Sequence, residues 1–363
     1  MAIESVQSAH YRIPLPVVLS DATHGDMPDF ELITVVVRDT SGAEGLGYTY
    51  TVGRGGGAVH ALVKQDLSPL LQGADPRRTE ELWDKMWWRI HWVGRGGVAS
   101  LAISAIDIAL WDLKAKMAGE PLWRLLGGAS RRVKAYAGGV DLSFTQDQLR
   151  AQTQSFLAKG FKAIKIKVGR DLLSEDVARV RLVREIAGKD FVLMADANMR
   201  WRVDQAIRAC RALAPFDLFW IEEPTIPDDL EGHAHIAREG GLPIATGENL
   251  HTVYEFERML SHGSIAFPEP DLSNMGGVTA WMKVGRLAEA RNLPVTSHGV
   301  PDLHVHLLAA VPNASYLEIH GFGLDRFTRE PLKLEDGVAI APNRPGHGVE
   351  LDWQGMAQFR IQA

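Results

Sequence analysis

Between residues 133 and 321, short runs of apolar and β-branched residues recur, each closing on polar residues and each followed by a stretch of helical character. The runs are VKAYAGG, AIKIKVG, FVLMADAN, LFWIEEP, PIATGE, SIAFPEPD, PVTSHG and SYLEIHG, eight in all. Such alternation predicts βα units and a parallel sheet, and eight strands is the count of a closed barrel. Upstream the rhythm differs. Apolar runs near 32–37 and 45–51 precede long helical patterns, an α+β arrangement. The stretch 99–116 repeats Leu101, Ile106, Ala109, Leu110 and Leu113 at helical spacing and predicts an amphipathic helix. Residues after Asp325 carry no further βα repeat and are expected to pack back on the amino-terminal region. The expected fold class is α/β. A TIM-type barrel spans 126–325, and an α+β capping domain spans 1–125, completed by 326–363.

Barrel enzymes place their chemistry at the carboxyl ends of the strands, and here those ends are acidic. Asp196 closes one strand, Glu222 and Glu223 the next and Glu248 the third, with 26 residues from Asp196 to Glu222 and again from Glu222 to Glu248. One βα unit separates successive acids, which brings them to one rim. Carboxylates so close repel, and a divalent cation relieves the repulsion; hard oxygen ligands favour Mg²⁺ over zinc. Neighbouring strand residues point to opposite faces, so only one of Glu222 and Glu223 is expected to face the axis.

The preceding strand carries Lys165 and Lys167, which share a face, with apolar Ile164, Ile166 and Val168 on the other. Two solvated lysines are the commoner reading of such a pair, but both faces of a barrel strand are buried. Two adjacent ammonium groups are expected to lower each other's pKa and supply a neutral-amine base. Asp271 and His298, 27 residues apart, end the sixth and seventh runs and predict an acid/base dyad. Glu318, in the last run, is a candidate for a hydrogen bond to a substrate oxygen.

Taken in order, Lys165-Ile-Lys167, Asp196-Ala-Asn198, Ile-Glu222-Glu223-Pro, Gly-Glu248-Asn249, Pro-Asp271, Ser-His298-Gly and Leu-Glu318 resemble the enolase superfamily, and within it the mandelate racemase subgroup. The resemblance covers nearly the whole chain and implies a modified (β/α)7β barrel. It implies that Asp196, Glu222 and Glu248 bind one Mg²⁺, and that Lys167 and His298 flank the substrate. It also implies that Asp271 supports His298, that Lys165 contacts the substrate carboxylate, and that Glu318 supports the enolate oxygens. The cap segments 19–29, 48–57 and 90–97 look most like those of the family's members that open the ring of 3,6-anhydro-L-galactonate. Part of their pattern is shared with talarate/galactarate dehydratases. His24 and Arg54 in those segments, with Asn198 and Asn249 on the barrel, are candidate substrate contacts.

The implied chemistry is removal of the proton beside the carboxylate of an acid sugar, through an enediolate. Loss of a hydroxyl then gives dehydration, loss of a ring ether gives ring opening, and return of a proton gives racemisation or epimerisation. Lys167 and His298 stay interchangeable as the initiating base.

Composition narrows the partners. Basic residues number 39 against 45 acidic, a net charge of −6, and no Lys/Arg stripe suited to a phosphate backbone occurs. No stretch reaches the roughly 18 apolar residues of a membrane span, and the amino terminus lacks a signal-peptide pattern. A cytoplasmic enzyme with a small acid-sugar substrate is expected, with neither nucleic acid nor membrane as partner, and the resemblance suggests an even-numbered homo-oligomer. The single Cys210 reads as a small buried hydrophobe.

Other signals carry less. Gly53 to Ala58 nearly satisfies a dinucleotide fingerprint, but no strand with a terminal acid follows. His304 and His306 could suggest a zinc hydrolase, yet on a helix residues two apart diverge by about 200°. A binding protein that merely keeps the scaffold is disfavoured, because folding alone does not require buried like charges. The tryptophans at 83, 87 and 88 read as interface or core packing.

Overall fold

The structure is a computed structural model that describes residues 1–320, 322 and 324–362. Gly321 and Ala363, the last residues of two expected segments, lie outside the described residues.

Three strands, β1 (Ile3–Asp21), β2 (Gly25–Asp39) and β3 (Glu44–Thr51), form an antiparallel meander at the amino terminus. Helix Val98–Ala118 packs on it, and helix Thr79–Ile90 packs against that helix. The barrel follows with β4 (Arg132–Gly138), β5 (Ala163–Lys167), β6 (Val192–Asp196), β7 (Ile221–Glu222), β8 (Ile244–Thr246), β9 (Phe267–Pro268) and β10 (Leu317–His320). Neighbours from β4 to β9 pair in parallel, β10 pairs in parallel with β4, and the segment at Val295 and Thr296 spans the gap between β9 and β10 to close the ring. Isoleucines 164 and 166 and Val168 enter the apolar layer beneath the outer helices, while Lys165 and Lys167 point inward.

Three expectations change. The run PVTSHG forms no strand among the described residues. It is held by a bridge from Val295 to Ala314 and by the Thr296 N–H donating to the Pro268 carbonyl. A turn into the site follows within three residues, too soon for a longer ladder. Second, the chain after Asp325 does not simply return to the cap. Strands β11 (Lys333–Glu335) and β12 (Val338–Ile340) form a hairpin that pairs antiparallel with β4, while on either side of it the segment meets the cap as expected: Arg326 donates to the Pro14 carbonyl at 2.9 Å, His347 meets Leu46 and Asp112, and Arg360 bridges Tyr11.

Third, helix Val98–Ala118 is buried on both sides rather than amphipathic. Its polar residues satisfy groups of the barrel and the carboxyl-terminal segment. Ser104 Oγ accepts from the Gly276 N–H at 2.8 Å, Asp107 from Thr279 N–H at 2.9 Å and hydroxyl at 2.7 Å, and Asp112 from His347 N–H at 2.9 Å. On its other side Gly45 and Gly47 let β3 lie against the helix backbone. A Cβ at Gly47 would meet the Ala105 carbonyl oxygen at 2.1 Å. Gly47→Ala should therefore force strand and helix apart and cost about 3 kcal/mol. Thermal and urea unfolding would read this; an unchanged midpoint would show that the approach is not constrained.

Cys210 is buried, and burial pushes its thiol up to about 12. Trp83 and Trp87 stack at 5.3 Å as packing residues, whereas Trp88 is exposed. Among the described residues no helix is long and apolar enough to cross a membrane.

Candidate active site

The inward face of β5 and the ends of β6, β7 and β8 bring five charged groups together. Asp196, Glu222 and Glu248 are buried, and each offers an oxygen within 4.8 Å of the others. Lys167 Nζ contacts Asp196 Oδ2, and Lys165 Nζ lies 2.5 Å from Glu222 Oε1 and 2.9 Å from Glu318 Oε1. The Trp220 indole N–H donates to Glu222 Oε2 at 3.0 Å, and the Asn198 N–H to Asp196 Oδ1 at 2.8 Å. Burial, with Asp196 beside it, holds Glu222 well above the usual carboxylate range although Lys165 opposes this. Glu248 Oε2 is buried without a hydrogen-bond partner. Three buried acids, one with an orphaned oxygen, fit a hard divalent cation.

Two expectations are corrected here. The first is a reason rather than an outcome: as expected only Glu222 belongs to the acid cluster and Glu223 lies beside it, but strand alternation is not the cause. β7 ends at Glu222, and Glu223 takes a left-handed φ of 39°, so strand alternation no longer applies to it. Burial and the neighbouring Glu248 and Asp196 raise its pKa, and Asn249 Nδ2 donates to both its oxygens at 2.8 and 3.0 Å. Asn249 thus braces Glu223. The lysines also differ from expectation. Burial pulls Lys167 down, but the Asp196 carboxylate more than offsets this and holds it above its ordinary value; Lys165 is raised in the same way by Glu222 and Glu318. Lysine repulsion is the smaller effect beside carboxylates in direct contact.

On the opposite flank His298 Nδ1 lies 3.0 Å from Asp271 Oδ2, and its Nε2 lies 3.5 Å from Glu248 Oε2. Burial lowers the imidazole's pKa, yet Glu248 and Asp271 raise it to about 10. Asp271 is fixed by Ser273, whose N–H and hydroxyl both donate to Oδ1 at 2.7 Å, and by the Tyr50 hydroxyl at 3.3 Å from Oδ2. Glu318 Oε2 accepts from the Gly299 N–H at 2.9 Å, and Lys165 foremost holds its carboxyl well below the usual range against burial.

His320 was missed by sequence reasoning. It stacks on His298 with ring centroids 5.7 Å apart, burial lowers its pKa to about 4, and neither ring nitrogen has a hydrogen-bond partner. The available signal was its place two residues beyond Glu318 on the same strand. Buried Glu269, which accepts from the Tyr136 hydroxyl at 3.3 Å, was also not foreseen.

The cap closes on two flanks. Tyr48 and Tyr50 of β3 reach Asp302 and Asp271. On the Lys167 side, β1 ends at Asp21 and the turn after it carries His24, whose Nδ1 lies 2.8 Å from Asp21 Oδ2. The Thr23 hydroxyl donates to the Asn198 carbonyl, so Asn198 anchors this turn through its backbone while its side-chain oxygen stays unpaired. Arg54 is exposed after β3, and the structure records no hydrogen bond or ion pair for it among the described residues. His304 and His306 spend both ring nitrogens on backbone groups. His304 sits between the Leu272 N–H and the Gly299 carbonyl, and His306 between the Trp123 N–H and the His347 carbonyl. They form no zinc pair.

Residues 3–127 match the family described as mandelate racemase / muconate lactonizing enzyme, N-terminal domain, and residues 148–355 match enolase C-terminal domain-like. A 3,6-anhydro-alpha-L-galactonate cycloisomerase of Streptomyces coelicolor is 57% identical over 359 residues, 99% of each chain. An L-talarate/galactarate dehydratase of Salmonella typhimurium is 37% identical over 97% of this chain and 89% of its own. Among solved structures, a racemase from Streptomyces coelicolor A3(2) with bound magnesium superposes with a TM-score of 0.97. It is 56% identical and covers 99% of this chain and 100% of its own.

Proposed function

This chain belongs to the mandelate racemase / muconate lactonizing enzyme family of the enolase superfamily, and from that premise we propose that it opens the ring of 3,6-anhydro-L-galactonate to a 2-keto-3-deoxy acid. The carrying observation is the buried Asp196–Glu222–Glu248 cluster, flanked by Lys167 on one side and by Asp271-supported His298 on the other. The 57% identity to a cycloisomerase along the whole chain supports the substrate.

Asp196, Glu222 and Glu248 would hold Mg²⁺, as the magnesium in the 56% identical structure supports. When bound there, the cation would offset their charge, relax the upward pull on Lys167 and His298, and supply stabilisation of negative charge on substrate oxygens. Lys165 binds the substrate carboxylate and, with Glu318, orients it. Either Lys167 or His298 removes the proton beside that carboxylate, giving an enediolate. The electron pair then expels the β-oxygen. Where that oxygen is the ring ether the product keeps every atom of the substrate. Where it is a free hydroxyl, water is lost, which is the dehydratase reading favoured by the 37% identical relative.

The test is a Mg²⁺-supplemented screen of acid sugars, scored for 2-keto-3-deoxy acid and for water balance. The anhydro acid is expected to turn over without loss of water, at least about tenfold faster than galactarate. Turnover of open-chain acids alone would move the assignment to a dehydratase, and racemisation alone would remove elimination from it.

A further inference from the structure

The chemistry proposed above asks for four proton movements: one away from the α-carbon, one onto the departing oxygen, one onto the β-carbon and one off the enol hydroxyl as it becomes the ketone. Two flanking groups, Lys167 and His298, serve the carbon atoms. An alkoxide is a poor leaving group unless protonated as it departs, so a third donor beside the β-oxygen has a defined task.

The turn after β1 supplies one. It is stitched to the barrel rim at several points. Ser20 bridges Asp141, its carbonyl accepts from the Leu142 N–H, and its hydroxyl accepts from the Ser143 N–H at 3.1 Å. Thr23 bonds the Asn198 carbonyl, and Ala22 packs close to Gly169, where an added Cβ would come within 3.1 Å of the Ala22 Cβ. Asp21 is buried and fully engaged: Oδ1 accepts from the Thr23 and His24 N–H groups at 2.8 and 2.7 Å, and Oδ2 lies against His24 Nδ1. That arrangement fixes the ring and favours its protonated form, so that Nε2 carries a proton. Nε2 itself has no hydrogen-bond partner recorded among the described residues, and the side chain is 33% exposed, open to resupply from solvent. The charges of Glu248 and Lys167 both reach the ring.

Resting on the elimination reading above, we propose that His24 is a catalytic residue that donates its Nε2 proton to the β-oxygen as it leaves. In balance, the α-proton passes to the base and the enediolate's electron pair forms the new double bond. The C–O bond breaks, the ring oxygen takes the His24 proton to become a hydroxyl, and neutral His24 is recharged from water. The enol then collects a proton at the β-carbon and releases its O–H proton, so two protons leave and two arrive and the 2-keto acid keeps every atom of the substrate.

His24→Asn separates this role from simple positioning. In D₂O the variant is expected to keep α-hydrogen exchange within about tenfold of the wild type, while product formation falls by roughly 10²–10⁴-fold. With the 3-deoxy-3-fluoro analogue, whose fluoride leaves without a proton, the variant's rate should return to within about tenfold of wild type. Exchange and elimination falling together, no rescue by fluoride, or an unchanged elimination rate would each overturn the assignment. A wild-type protein that neither exchanges nor eliminates with any acid would instead overturn the reaction itself.

Discussion

Lys167→Ala and His298→Asn should each lower turnover by roughly 10³-fold or more, the upper part of the range for a positioned acid or base. The two residues approach the site from opposite flanks and lean on different carboxylates, Asp196 and Asp271, so neither can substitute for the other. Their signatures should differ. The variant that has lost the initiating base should also lose α-hydrogen exchange, whereas the other should retain exchange and fail later. Stopped-assay turnover and exchange followed by NMR give both readouts. Appreciable turnover by the double variant would eliminate this mechanism. Circular dichroism is expected to be unchanged in each single variant, since the truncated side chains face the barrel mouth rather than the apolar layer.

Chelation should have the other large effect. Three buried acids with oxygens within 4.8 Å of one another repel strongly, and Lys165 and Lys167 compensate only part of their charge. Stripping divalent ions with EDTA should abolish turnover, and Mg²⁺ should restore it. Independently of activity, Mg²⁺ at 100 times its Kd should stabilise the fold by about 2.7 kcal/mol, seen as a rise in Tm. Glu222→Gln, which removes the middle ligand, should lose most of that rise. A Tm indifferent to Mg²⁺ in the parent protein, with full activity in EDTA, would be incompatible with a metal-dependent site.

Much of this arrangement was legible along the chain because its spacing is set by simple geometry. Asp196, Glu222 and Glu248 recur every 26 residues because one βα unit consumes that length, and strand ends are where side chains can meet across a barrel rim. Lys165 and Lys167 faced inward as strand periodicity requires. The run PVTSHG had strand composition but only a single bridge's worth of pairing, since its turn toward Asp271 begins at once. Helix Val98–Ala118 read as one-sided because its serine and aspartates counted as polar; their partners, Gly276, Thr279 and His347, lie about 170 to 240 residues away.

Periodicity and residue type thus determined the barrel, its rim of acids and the placement of the lysines, because these follow from local rules of strand alternation and unit length. Only the tertiary structure decided what long-range proximity controls. Glu223 joined the site through a left-handed backbone, and His320 came to stack on His298. The lysines' pKa rose rather than fell because carboxylates from β6, β7 and β10 touch them. The Asp21–His24 pair came within electrostatic range of Lys167 because Ser20 and Thr23 bind the barrel rim from a separate domain. Electrostatic energy depends on distances between residues far apart in sequence, and those distances exist only after the chain has folded.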